Sequence, residues 1–114
     1  MATSKSPNGK WIAGAFVFSG RRNPTWVIPG RVALTLLSMW DGASLFSGKA
    51  PEPAPLGYRG AFLRDFEGRE WTAYGGAIVH HSGTATETRA DPERRFEKLL
   101  LSTAPTGALP PVQF

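Results

Sequence analysis

A chain of 114 residues with 13 Lys and Arg, 9 Asp and Glu, a net charge of +4 and no cysteine holds one core and excludes disulfide and thiolate chemistry. No run approaches the roughly 18 apolar residues of a membrane span, and the first apolar run ends in arginines rather than a small-residue cleavage site. A soluble, cytoplasmic protein without membrane contact is expected. The charge is uneven: residues 1–60 carry seven Lys and Arg against two Asp and Glu, and residues 61–114 carry six against seven. The N-terminal half therefore offers a positive surface to an anionic partner.

Residues 1–10 are polar, lack an apolar period and read as a disordered lead-in. Trp11 to Ser19 reads as a strand that is apolar on both faces and hence central, with Gly14 requiring a close neighbour. Gly20 to Pro24 is a turn, because Pro24 holds Asn23 out of helical geometry. Pro29 opens a helix to about Trp40, on which Val32, Ala33, Leu36, Leu37 and Trp40 share a side. The same run also alternates from Val32 to Leu37, so a strand over 30–40 in an all-β domain is the competing reading. Ala43 to Leu56 is a long loop with three prolines. Gly57 to Asp65 and Glu70 to Ser82 form a hairpin about the turn at Gly68, with Gly75-Gly76 marking a bulge or a close backbone approach. Gly83 to Ala90 reads as a polar link. Asp91-Pro92-Glu93 starts a second helix to about Thr103, and Ala104-Pro105 stops it. The expected fold is α+β: a three-stranded, mostly antiparallel sheet with two helices on one face, in the order β-α-β-β-α. It occupies residues 11–105 as a single domain, followed by a tail over 106–114.

The candidate ligand-binding residues are Arg21, Arg22, Asn23, Trp26, Tyr58 and Arg59. Two guanidinium forks and an amide on one turn suit bidentate capture of a carboxylate or phosphate. Solvated loop charge accounts for the same residues without a ligand. Interleaved aromatic and basic residues are one sign of a single-strand stacking platform, but four tryptophans also make a small core. His80 and His81 are the candidates for a general base. Neighbours on a strand point to opposite faces, so the pair cannot share a metal, and no nucleophile or orienting carboxylate lies at telling spacing. No catalytic residue, metal site or cofactor motif is assigned.

Ser19-Gly-Arg-Arg-Asn-Pro-Thr-Trp26 resembles the Ser-Gly-Arg-Pro-Asn-Pro-x-Trp signature of small uncharacterised bacterial proteins, which have no established activity. Leu56-Gly-Tyr-Arg-Gly60, Gly68-Arg-Glu-Trp71, Tyr74-Gly-Gly76 and the segment ending Leu100-Leu-Ser-Thr-Ala-Pro105 are similar too. The resemblance implies one folded unit over residues 16–105 and supplies no chemistry. It departs at Arg22, where the signature has proline and this turn gains charge. The leading functional expectation is a non-enzymatic binding or protein-interaction module that holds an anionic or peptide partner. Small-enzyme chemistry at His80 or His81 and nucleic-acid binding are the alternatives, and a homodimer is a further expected form.

Overall fold

The computed structural model describes residues 10–18, 22–53 and 57–109. The lead-in before Lys10, Arg21 of the candidate loop and the tail beyond Leu109 lie outside the described residues. The strands are β1 (Trp11–Ala15), β2 (Thr25–Ile28), β3 (Ala61–Arg64), β4 (Glu70–Tyr74), β5 (Ala77–Ser82) and β6 (Ala85–Ala90). Two helices, α1 (Gly30–Asp41) and α2 (Arg95–Ser102), follow β2 and β6. The strands form one antiparallel sheet in the order β2-β1-β3-β4-β5-β6.

The class is α+β, but the expected three-stranded sheet is wrong, because the described residues form six strands. The missing three have separate physical causes. β2 is four residues long between Pro24 and Pro29, too short to display a period. The run Glu70 to Ser82 is two strands, because Gly75 and Gly76 take φ of 63° and 96° and close a two-residue hairpin that only residues tolerant of positive φ can form. β6 was expected as a link because its residues, Ala-Thr-Glu-Thr-Arg-Ala, lack an apolar face. Its hydrogen bonds to β5 make it a strand. The segment 30–41 is helical, which removes the all-β alternative.

Strand alternation sorts the side chains into two layers. Trp11, Ala13, Trp26, Ile28, Ala61, Leu63, Trp71, Ala73 and Ile78 join Ala33, Leu36, Trp40, Phe96 and Leu100 in one buried cluster between the sheet and both helices. The second helix is fastened by Asp91. Glu93 and Arg94 both adopt left-handed φ, 57° and 58°, a conformation uncommon for residues with a side chain. The chain folds back there, and the Asp91 carboxylate accepts from the amides of Phe96 at 2.8 Å and Glu97 at 3.1 Å. It thus caps the first turn of α2 from four residues ahead of that helix.

Among the described residues, the other face of the sheet carries no helix. Phe62 is buried there, its ring 4.8 Å from Phe16 and beneath the Arg64 guanidinium at 4.6 Å. Gly14 makes this possible: a Cβ at that position would lie 2.3 Å from the Phe62 ring and 2.7 Å from the Pro24 carbonyl oxygen. Gly14→Ala is expected to lower stability by about 1–3 kcal/mol through overpacking, read from urea unfolding. Combined with Phe62→Leu, which shortens the obstructing side chain, it should cost less than the two single changes added together.

Candidate functional site

The loop between β1 and β2 is held at its base by Asn23. Its side-chain oxygen accepts from the backbone amides of Val17 and Phe18, each at 2.9 Å. Asn23 is thereby committed to shaping the loop. Trp26 is buried, and its indole N–H donates to Thr103 Oγ1 at 2.7 Å, which ties β2 to the end of α2. All four tryptophans are buried, so no exposed indole offers a base-stacking surface. Arg22 is exposed.

Tyr58 and Arg59 follow the proline-rich loop and point into different layers. The Tyr58 hydroxyl donates to Glu97 Oε2. Glu97 has no solvent exposure and accepts two further bonds from Arg94, Nε to Oε1 at 3.1 Å and Nη2 to Oε2 at 2.9 Å. Burial, and then the bond to Glu97, push the Tyr58 hydroxyl above its ordinary value. The same carboxylate raises Arg94. Burial raises Asp91 against the opposing pull of its two amide donors. Tyr58 is therefore occupied in the helix layer.

Arg59 lies on the helix-free side. Its Nη2 donates to the Phe18 carbonyl oxygen at 2.5 Å, while its Nε is buried without a hydrogen-bond partner among the described residues. The residue lines a groove of about 250 Å³ with Thr72, Tyr74, Val79 and His81 of the sheet and Pro51 and Pro53 of the long loop. Pro51 forms the lip. It sits over the β4–β5 turn, where a Cβ on Gly75 would touch its ring at 3.2 Å. The adjacent acid, Glu70, is engaged: its Oε1 accepts from Arg64 at 2.9 Å and its Oε2 from the Thr72 hydroxyl at 3.1 Å.

The half-buried arginines make a telling comparison. Arg64 pairs with Glu70, Arg69 with Asp65 and Glu67, Arg89 with Glu87, and Arg94 with Glu97. Among the described residues, Arg59 is the one half-buried arginine without a carboxylate partner. The sequence named Arg59 and Tyr58 as ligand contacts and His81 only as a general-base candidate. That Thr72, Tyr74 and His81 meet around Arg59 depends on the β4–β5 register, and the enclosing prolines were read only as a loop.

His80 belongs to the opposite layer from His81. Its ring stacks on Trp71 at 4.3 Å and meets the edge of Trp40 at 5.6 Å. Its Nδ1 donates to the Glu70 carbonyl oxygen at 3.1 Å. Arg89 covers Trp40, 4.3 Å from the ring, and donates to the Trp40 carbonyl oxygen at 2.7 Å. His80 therefore works as a flat packing element joined to a strand carbonyl. Among the described residues, no group of three or more His, Asp or Glu side chains could hold a metal, and no helix is long and apolar enough to cross a membrane.

Comparison with protein-family models, with curated proteins and with solved structures finds no match.

Burial lowers the His80 pKa from the ordinary 6.5. The folded state thus binds fewer protons than the unfolded chain, and this contribution to stability is fully present above pH 6.5 and lost as pH falls through the folded value. His80→Phe keeps a ring on Trp71 and should flatten that part of the decline as pH falls below about 6.5, read from urea midpoints across a pH series.

Proposed function

We propose that the domain is a non-enzymatic binding module that captures a carboxylate of a protein or peptide partner against Arg59. The unmatched guanidinium in the groove carries this reading. Among the described residues Arg59 has no carboxylate partner and its buried Nε no hydrogen-bond partner. A guanidinium so placed gains from an incoming carboxylate, because burial strengthens a charge-assisted bond and makes an unmade one costly. The groove's size supports a side chain or chain terminus rather than a large cofactor: about 250 Å³ falls below the roughly 300–1,000 Å³ of drug-sized pockets. Its lining is mixed, with Thr72, Tyr74 and His81 as polar contacts and Pro51, Pro53 and Val79 as apolar walls. Such walls lower the local dielectric around an ion pair.

Arg22, exposed on the loop that Arg59 braces through Phe18, adds to the positive potential on that side. It serves attraction rather than capture, because exposed charges act mainly on the rate of encounter and are screened by salt.

A blocked tetraglutamate peptide titrated into the protein, followed by backbone amide shifts, tests the reading. Shifts are expected at Thr72, Val79 and His81, with affinity falling as salt rises. Arg59→Gln should weaken binding about 10-fold or more, the scale of one charge-assisted hydrogen bond. Arg59→Lys should recover little, since an ammonium lacks the fork. Because Arg59 also braces the loop, His81→Ala provides a second variant at a lining residue that is exposed and should leave stability unaltered while weakening the peptide. Absence of shifts in the groove, or binding indifferent to both changes, would overturn the assignment.

A further inference from the structure

The two edges of the sheet are treated differently by the chain. At the β6 edge the long loop runs alongside the strand: the Phe46 amide donates to Thr88, the Ala90 amide donates to Ser44, and Leu45 bridges Arg89. The β2 edge has no such cover among the described residues. The Ala15 amide donates to the Pro24 carbonyl oxygen across the β1–β2 ladder, and Pro24 continues the register in which Trp26 faces Ala13 and Ile28 faces Trp11. Inward and outward main-chain groups alternate along an antiparallel strand. The amides and carbonyls of Trp26 and Ile28 therefore turn towards β1, and those of Thr25 and Val27 turn outward. No hydrogen bond among the described residues uses these four outward groups.

The side chains and flanking charges narrow what could occupy this edge. Thr25 and Val27 are exposed, Val27 to 62%, and Val27 pairs across the sheet with Ile12. Lys10 precedes β1 at the Ile28 end, Arg31 follows β2 at that same end, and Arg22 precedes β2 at the other. All three are exposed, and none has an ion-pair partner among the described residues. Residues 1–40 contain no Asp or Glu at all. A second copy pairing antiparallel along β2 would bring Arg22 of one chain towards Arg31 of the other, a juxtaposition of like charges.

We infer that the β2 edge is a docking strand for an extended acidic segment of another protein, which adds as a seventh strand by main-chain hydrogen bonds to Thr25 and Val27. Strand addition supplies affinity through the backbone and selectivity through alternate side chains. Here Val27 provides an apolar contact beside the new strand, and the cations at both ends select acidic residues. Pro24 and Pro29 limit the paired length to about four residues, which favours a short linear segment and disfavours open-ended stacking of copies. The inference is independent of the Arg59 groove and concerns a different surface.

The test uses the complete chain and a blocked hexapeptide of alternating valine and glutamate, with its valine–lysine counterpart as the contrast. The acidic peptide should protect the Thr25 and Val27 amides from hydrogen exchange, and the lysine peptide should not. An acidic peptide N-methylated at alternate residues should lose at least about 10-fold in affinity, because it keeps its charge and loses its donors. Val27→Pro removes one outward donor at an edge position where proline is tolerated and should weaken the unmethylated peptide similarly, with folding checked by circular dichroism. Protection confined to Thr72 and Val79 would show the peptide in the groove instead and overturn the edge assignment. Equal binding of methylated and unmethylated acidic peptides would do so too. Concentration-dependent dimerisation that protects Thr25 and Val27 without peptide would make a second copy the occupant and reject an acidic partner.

Discussion

Glu97 is a carboxylate with no exposed surface, placed where α2, the approach to β3 and the Asp91 turn meet. It is matched by Arg94 and by the Tyr58 hydroxyl, so neither its charge nor its second oxygen is left unpaired. Removing a partner from such a group costs far more than the pair contributes over an apolar substitute. That asymmetry makes Glu97 a constraint on geometry more than a source of stability. Arg94 reaches it only from a left-handed backbone, and the same bend places Asp91 at the amides of Phe96 and Glu97.

The constraint reaches the other side of the sheet through one peptide unit. Tyr58 is drawn into the helix layer by Glu97, and consecutive residues of an extended chain face opposite ways. Arg59 is therefore delivered to the helix-free face. There it bonds the Phe18 carbonyl, while its own amide donates to Phe16 at 2.7 Å. Gly60 then takes a φ of 122° as the chain enters β3, with room for no Cβ free of contact: one would lie 3.0 Å from the Ala73 carbonyl oxygen. A buried acid in one layer thus sets the position of an arginine in the other, and the groove around Arg59 inherits its order from the core.

Local chemistry marked some of this plainly. Asp91-Pro92-Glu93 announces a helix start, and Asp91 does bond the first amides of α2, although two left-handed residues intervene that no propensity would suggest. Tyr58 and Arg59 stood out as an aromatic and basic pair, yet their opposite assignments depend on Glu97, 39 residues away from Tyr58 in sequence. Asn23 and Trp26 were selected for their chemistry as ligand contacts. Asn23 spends its oxygen on the loop's own amides and Trp26 its N–H on Thr103, bonds that are invisible until the β1–β2 turn and the end of α2 are placed. The polar β6 escaped pattern reading because an edge strand can form without an apolar face of its own. The other edge strand, β2, has such a face in Trp26 and Ile28 but is only four residues long.

Among the described residues, two helices of 12 and 8 residues cover one face of a six-stranded sheet, and no helix covers the other. The chain meets that shortage with small devices: Phe62 laid flat over Gly14, Arg64 spread over Phe62, and Pro51 lodged against the glycine turn. Each covers a patch, and the cover stops short of Thr72, Val79 and His81. At the edges the same economy lets one loop shield β6 and leaves β2 with outward amides. The surfaces left over are not random in charge, since acids are absent from the first 40 residues and Glu70 is already held by Arg64. Among the described residues, the fold thus leaves polar main chain at β2 and a guanidinium without a carboxylate partner at Arg59, the two features on which the proposed acidic partners rest.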